Sequence, residues 1–147
     1  MSSLGHLARR FITSLSRREP PTADAAWAVS QMLEGERELW SRLPAADRRH
    51  AIVVARRFES MSTQPWSRDE LAGALLHDVG KLESGLGTYG RVVATIVGPR
   101  TTRFRRYHDH ERLGAELLEA AGSSLVTIDL VRGRGRGAPI LREADDI

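Results

Sequence analysis

The sequence predicts an all-α protein, a compact bundle of about six or seven helices preceded by a short N-terminal helical arm. Apolar residues recur at helical spacing along nearly the whole chain, and strand-like alternation is almost absent. A length of 147 residues fits one domain. The 41% hydrophobic content lies near the globular norm and argues against wholesale disorder. A single core without internal repeats is therefore expected.

The first part of the chain carries four predicted helical stretches. They cover residues 4–18, 22–32, 36–43 and 45–61. A Pro-Pro pair ends the first stretch, and Thr22 and Asp24 can cap the second. Gly35 interrupts the second stretch before the third begins. Pro44 is placed at the first position of the fourth helix, where its missing N–H costs nothing.

A strongly apolar helix is predicted over residues 68–77. Ser67 and Glu70, three residues apart, form a capping box at its start, and Gly80 fits its C-terminal end. Because the stretch is apolar on most sides, we expect it to be buried. Residues 88–97 are compatible with a helix or a strand, because many are β-branched. A helix is favoured there, since a lone strand would have no partner.

The last part of the chain predicts three more helices, over residues 110–121, 125–131 and 138–147. Gly122 fits the C-terminal cap of the first, and Ser123 or Ser124 caps the second. The Arg-Gly run between the second and the third is predicted to be a flexible loop. We expect residues 1–43 to be a helical extension that packs on a helical domain formed by residues 44–147.

Composition excludes several kinds of site and location. The chain has no cysteine, which excludes a disulfide scaffold, an iron–sulfur cluster, a thiol nucleophile and a thiolate-bound zinc ion. The longest apolar run is far shorter than the ~20 residues of a spanning helix, so no membrane span is predicted and the predicted location is the cytoplasm. The arm interleaves arginines with apolar residues, which is typical of an exposed or docking helix and also suits contact with an anionic membrane surface. Lys81 is the one lysine among 22 Lys and Arg residues.

A His-Asp pair marks the end of the apolar helix. His77 and Asp78 would be expensive to bury unless something satisfies them, and a divalent metal would do so. His50 lies 27 positions upstream inside another predicted helix, while Asp145 and Asp146 lie 67 and 68 positions after the pair. Ionisable residues on core-facing helical sides need partners. The alternative is that a histidine at a helix end only caps backbone carbonyls.

Residues 74–81, with the sequence ALLHDVGK, resemble the signature of the HD-domain superfamily of metal-dependent phosphohydrolases, in particular its small bacterial members. The other parts of that pattern are an upstream helical histidine, an intermediate helix and a distal aspartate. They match residues 49–55, 110–118 and 144–146, in the expected order. The resemblance extends from about residue 44 to the C-terminus and implies an HD-type helical bundle.

The resemblance implies a site for one divalent metal ion, which could be Mn²⁺, Fe²⁺, Co²⁺, Zn²⁺ or Mg²⁺. The matching ligands are His50, His77, Asp78 and Asp145. Asp145 is preferred over Asp146, because the ligand of the family directly follows an alanine. Lys81 is the signature lysine and is placed to contact Asp78 or a substrate phosphate. Asp78 and Lys81 are thus the expected catalytic residues, with Asp78 orienting the attacking water.

Further residues are expected around this site. His110, His108 and Asp146 would either support the ligands or bind a second metal. Phosphate recognition is assigned to a set of arginines, namely Arg49, Arg91, Arg103 and Arg106. The alternative for the arginines between 91 and 106 is a solvated basic connector. The expected partner is a phosphorylated small molecule such as a nucleotide.

The chain departs from its apparent relatives after residues 125–131, where those proteins usually carry a histidine pair with prolines. Here Arg132 to Gly137 alternate arginine and glycine, which disfavours a two-metal site. An HD-fold binding or regulatory module without activity is therefore the first alternative to a phosphohydrolase. The second is a basic helical nucleic-acid-binding protein. A net charge of +3 is mild for that role, so no specific nucleic-acid partner is expected.

Overall fold

The computed structural model describes residues 17–82 and 110–147 of the chain. These ranges contain seven α-helices and one 3-10 turn. In chain order the helices are α1 (Thr22–Ser30), α2 (Glu34–Arg42), α3 (Ala45–Ser60), α4 (Arg68–Leu75), α5 (His110–Ala120), α6 (Leu125–Val131) and α7 (Ala138–Asp145), with the 3-10 turn at Val79–Leu82 following α4. No strand occurs in the described ranges, which confirms the predicted all-α class.

Two predicted segments lie mostly or wholly outside the described ranges. These are the arm helix over residues 4–18 and the segment 88–97. Residues 17 and 18 are described and are not helical, so the prediction of helix is wrong at these two residues.

Prolines precede two of the helices in the N-terminal half. Pro21 is the N-cap residue of α1 and no side chain caps that helix, so the predicted cap by Thr22 and Asp24 is wrong. Thr22 is already the first helical residue, and Asp24 lies in the first turn, where an acidic side chain favours the helix dipole. Pro44 is likewise the N-cap of α3, one position before its predicted place.

Gly35 does not interrupt a helix as predicted but lies in the first turn of α2. A Cβ atom at this position would lie 2.2 Å from the carbonyl oxygen of Ala121, so glycine allows α2 to approach the turn after α5. Buried Glu36 strengthens the same contact. Its carboxylate accepts hydrogen bonds from the Leu33 N–H at 2.8 Å and from the Ser123 hydroxyl at 2.6 Å. The N-terminus of α2 is thereby attached to the C-terminal half of the chain.

The predicted capping signals of the later helices are confirmed. Ser67 and Glu70 form the capping box of α4, with the Ser67 hydroxyl accepting from the Glu70 N–H at 3.1 Å. Of the two serines proposed to cap α6, Ser124 does so, by accepting from the backbone N–H of the third helical residue. Gly122 follows α5 with a φ of +83°, the left-handed conformation in which glycine is favoured.

Several helices end one or two residues earlier than predicted, and two of these ends bear on the candidate site. α4 ends at Leu75, and the chain continues through a turn into the 3-10 segment. His77 and Asp78 therefore lie outside the α-helix. Gly80 lies inside the 3-10 turn rather than at a helix end. α7 ends at Asp145, two residues before the predicted end.

One apolar cluster joins the described parts of the chain. Helix α4 packs against α3 and α6, the 3-10 turn packs on α5, and α7 packs on α3. Phe58, Leu75 and Leu118 are fully buried in this cluster, which also includes residues from Ala28 to Leu43. The ends of α4 and α7 thus both meet α3. Among the described residues, no helix combines the length and the apolar character needed to cross a membrane.

Candidate metal centre

Four histidine and aspartate side chains converge where α3, α4 and α7 meet. His50 lies on α3, His77 and Asp78 follow α4, and Asp145 is the last residue of α7. One possible ligand atom of each lies within 4.8 Å of those of the other three. The structure therefore brings together the four residues that the sequence pattern selected.

The backbone orients the ring of His77. Its Nδ1 lies 2.7 Å from the carbonyl oxygen of Ala74, three residues earlier. A carbonyl can only accept, so Nδ1 carries the proton and donates it, and in the neutral ring Nε2 keeps its lone pair. Fixing the tautomer in this way is typical of metal-ligating histidines. Capping of a backbone carbonyl was the alternative considered for a histidine at this helix end, and His77 makes that contact through Nδ1 while Nε2 faces the other way.

The other ring nitrogen of His77 is buried and faces two carboxylates. Nε2 lies 3.3 Å from Oδ2 of Asp78 and 3.4 Å from Oδ1 of Asp145. Within the described ranges it makes no hydrogen bond of acceptable geometry. A buried polar atom without a hydrogen bond is costly. A cation bound between the two carboxylates would satisfy it.

Asp78 is shared between several basic groups. Its Oδ2 also lies 3.1 Å from Nζ of Lys81, which confirms the predicted proximity of the lone lysine to this carboxylate. Its Oδ1 lies 3.4 Å from Nε2 of His110, the first residue of α5. His110 is thus next to the site, but it is not one of the four converging ligand residues.

The two aspartates at the end of α7 occupy different environments. Oδ1 of Asp145 lies 3.0 Å from Nε2 of His50. Asp146 is the exposed C-cap residue and does not belong to the converging group. Successive residues of a helix point about 100° apart, so only one of two neighbours can face α3. The geometry agrees with the preference for Asp145.

The electrostatics of the site favour ionised carboxylates. Burial alone would lower the pKa of His77, but the Asp78 and Asp145 carboxylates outweigh it and raise that pKa to about 10. Burial alone would raise the pKa of Asp78, but the His77 and Lys81 charges hold it well below the usual range. The pKa of Asp145 is also lowered against the effect of burial, mainly by its hydrogen bond to His50 and by the nearby His77 ring. The site is therefore built to hold positive charge.

The remaining predicted residues have other positions. His108, Arg91, Arg103 and Arg106 lie outside the described residues. Arg49 donates a hydrogen bond to the backbone carbonyl of Arg18. This contact engages its guanidinium with the segment that precedes α1.

The Arg-Gly loop contains one anchored arginine, a feature that the sequence analysis missed. The Arg136 guanidinium donates to both carboxylate oxygens of Glu70, at 2.9 and 3.1 Å. It also lies 4.5 Å from the centre of the Trp66 ring, which stacks in turn on Phe58 at a centroid distance of 4.3 Å. The segment forms the predicted loop, and within it the charge of Arg136 pairs with a largely buried carboxylate.

The donor set fits a divalent cation. Two imidazoles and two carboxylates suit borderline and hard ions from Mg²⁺ to Zn²⁺, and the chain has no thiol to offer a softer ligand. The buried Nε2 of His77 is the structural observation that supports this assignment. Comparison of the chain with protein-family models, with curated proteins and with solved structures returns no match.

Proposed function

We propose that this protein is a metal-dependent phosphohydrolase of the HD-domain type, which acts on a nucleotide or another phosphoester. The observation that carries the proposal is the convergence of His50, His77, Asp78 and Asp145 just after α4, where the chain of the ALLHDVGK segment leaves the helix. These four residues would hold one divalent cation. When bound, such an ion polarises a phosphoryl oxygen and makes hydroxide available from water near neutral pH.

The exposure of the four side chains supports access from one direction. His77 and Asp78 form the floor, with side chains only 8% and 14% exposed. His50 and Asp145 form the open side, with side chains 28% and 38% exposed. Water and a phosphate group would therefore approach past His50 and Asp145. A closed floor also strengthens the electrostatic interactions that act on the substrate.

The residues around the ligands would act on the phosphate and on the attacking water. Asp78 accepts hydrogen bonds and would orient the water. Lys81 lies 3.1 Å from Oδ2 of Asp78, and His110 lies 3.4 Å from Oδ1 of the same carboxylate. Their cationic forms would stabilise the negative charge that develops on phosphate oxygens in the transition state. The hydrogen bond from His77 Nδ1 to the Ala74 carbonyl would hold the imidazole ring in its orientation toward the ion.

The neighbouring pair of aspartates provides a matched test. Asp145→Asn and Asp146→Asn make the same chemical change one residue apart. The wild-type protein should retain about one divalent ion per chain and hydrolyse nucleoside phosphates in the presence of Mn²⁺. We expect Asp145→Asn to weaken Mn²⁺ binding more than about 100-fold. Loss of a residue that only orients a ligand typically lowers metal affinity by about 10–100-fold, and loss of a ligand should lower it further. Asp146→Asn should behave as wild type.

Metal analysis by mass spectrometry, Mn²⁺ titration calorimetry and phosphate release from a nucleotide panel are the measurements. The double variant His77→Ala and Asp78→Ala should lose both metal and activity. Equal effects of Asp145→Asn and Asp146→Asn would contradict the proposed site. A wild-type protein that retains no divalent ion would contradict it as well.

A metal-binding module without hydrolytic activity is the alternative function. The contacts of Arg136 with Glu70 and Trp66 favour it, because the loop that carries histidines in the resembled family here carries an arginine engaged in structural contacts. One bound ion per chain together with no phosphate release from the panel would support this alternative. Phosphate release that depends on Asp145 would exclude it.

A further inference from the structure

The ligand Asp145 depends on a short helix. It is the last residue of α7, which has eight residues and buries only Ala138, Leu141 and Ala144. Isolated helices of this length are marginal in water. The Asp145 carboxylate must nevertheless stay 3.0 Å from His50 Nε2 and 3.4 Å from His77 Nε2. Some contact must therefore hold the end of α7 in place.

Arg57 makes that contact. Its Nε donates a hydrogen bond of 3.0 Å to the carbonyl oxygen of Ala144, the residue directly before Asp145. Carbonyls in the last turn of a helix have no N–H partner within the helix, so Arg57 satisfies one of them. A guanidinium at a helix C-terminus also interacts favourably with the helix dipole.

The position of Arg57 on α3 links the two ligands. It lies seven residues after His50, which is about two helical turns and returns to nearly the same face. One side of α3 therefore supplies His50 as a ligand and Arg57 as the group that holds the backbone of the opposing ligand. Helix α3 thus contacts the end of α7 at two points, through His50 to the Asp145 carboxylate and through Arg57 to the Ala144 carbonyl.

We infer that Arg57 is a positioning residue of the metal centre, which fixes Asp145 by binding the end of α7; this inference rests on the proposed metal site. The described contact of Arg57 is with a backbone carbonyl, and Arg57 is not one of the four converging residues. Its effect passes through the Ala144 carbonyl to the backbone of Asp145. The described contacts of its neighbour Arg56 go instead to Trp27, with the guanidinium 3.6 Å from the ring centre, and to Glu59 at 3.3 Å.

The direction in which cation affinity changes shows whether Arg57 acts by positioning Asp145 or only through its charge. Removing a positive charge near a cation site should by itself strengthen cation binding, because the repulsion falls. Loss of positioning should weaken it. Arg57→Ala and Arg56→Ala remove the same charge from adjacent residues of α3, so Arg56→Ala is the matched control.

The test is Mn²⁺ titration calorimetry on the metal-free full chain. We expect Arg57→Ala to bind Mn²⁺ about tenfold more weakly, near the lower limit for residues that orient ligands. Arg56→Ala should bind as tightly as wild type or slightly more tightly. Arg57→Lys should recover part of the loss, because an ammonium group can still donate to the Ala144 carbonyl. In an Asp145→Asn background, Arg57→Ala should cause no further loss.

Mn²⁺ binding by Arg57→Ala that is as tight as wild type or tighter would overturn the inference. Amide hydrogen exchange of residues 142–147 in the metal-free protein gives a second, metal-independent readout. We expect faster exchange in Arg57→Ala than in wild type and Arg56→Ala, and equal rates would also overturn the inference. If wild type bound no Mn²⁺, the proposed function would fail, while the exchange rates would still decide whether Arg57 holds α7.

Discussion

Near the site, Gly80 is the position where adding a single methyl group should lower the free energy of unfolding most. A Cβ atom there would lie 1.8 Å from the carbonyl oxygen of His110 and 2.7 Å from the N–H nitrogen of Gly114. Real Cβ contacts essentially never fall below 3.0 Å, so Gly80→Ala requires the 3-10 turn and α5 to separate by at least 1.2 Å. Both contacts are with backbone, so no side-chain rotation can relieve them.

The expected cost follows from that separation. Overpacking a well-packed interior costs about 1–3 kcal/mol. Because both clashing atoms belong to the backbone of α5, we expect a cost at the upper end of this range, about 3 kcal/mol. A shift of 1.2 Å also exceeds the tolerance of about 0.5 Å for functional groups. The 3.4 Å contact between His110 and Asp78 would be lost, since it joins the two parts that must separate. Metal binding should weaken together with stability.

Urea unfolding monitored by circular dichroism measures the cost. With an m-value near 2 kcal/mol/M, about 3 kcal/mol lowers the midpoint by about 1.5 M. Gly73→Ala on α4 is the control, because the nearest atom its Cβ would meet is a terminal methyl carbon of Leu130 at 2.9 Å rather than backbone, and alanine favours the helix by about 0.5–1 kcal/mol. We expect it to stay within about 1 kcal/mol of wild type. A Gly80→Ala protein as stable as Gly73→Ala would refute the argument.

Two further predictions concern the anchored loop. Arg136→Ala should lower the free energy of unfolding by about 1–2 kcal/mol in urea titrations, because it leaves the largely buried Glu70 without its charged partner while most of the arginine itself is exposed. The second is an acid dependence: although burial opposes it, Arg136 and Ser67 lower the pKa of Glu70 below its usual 4.5. The resulting stability is fully present above pH 4.5 and is lost as the pH falls through the lowered pKa.

Neighbouring variants control both predictions. Arg134→Ala removes an arginine from the same loop, and a loss equal to that of Arg136→Ala would show that net charge, not the pair with Glu70, sets the stability. For the acid dependence, thermal unfolding between pH 6 and 3 is compared in wild type and Glu70→Gln. The difference between the two proteins should shrink as the pH falls, and a constant difference would contradict the lowered pKa of Glu70.

The local features of the fold were accessible from the sequence because neighbouring residues cause them. The capping box of Ser67 and Glu70 and the left-handed Gly122 depend on residues within one helical turn. The same holds for the helical spacing that predicted the all-α class. Helix ends were less accurate. α4 ends two residues early, because the turn that carries His77 and Asp78 is held by contacts with α5 and α7.

The candidate site shows the same division. The types and order of His50, His77, Asp78 and Asp145 were visible in the sequence, since each lies at a position where its charge or polarity is unusual. Their proximity was not visible, because His50 and Asp145 are 95 residues apart and meet only through the packing of α7 on α3. Nothing local marked Arg57, whose partner is a backbone carbonyl 87 residues away.

By itself, the sequence determined the helical class, the helix starts set by local capping, the absence of thiol chemistry and the set of residues able to hold a metal. These properties follow from interactions between near neighbours and from side-chain chemistry. The tertiary structure alone decided that the four side chains converge, why Gly35 and Gly80 must be glycines, and which arginines bind distant parts of the chain. Each of these depends on which distant backbone or carboxylate approaches the residue, and only the packing of the helices brings those groups together.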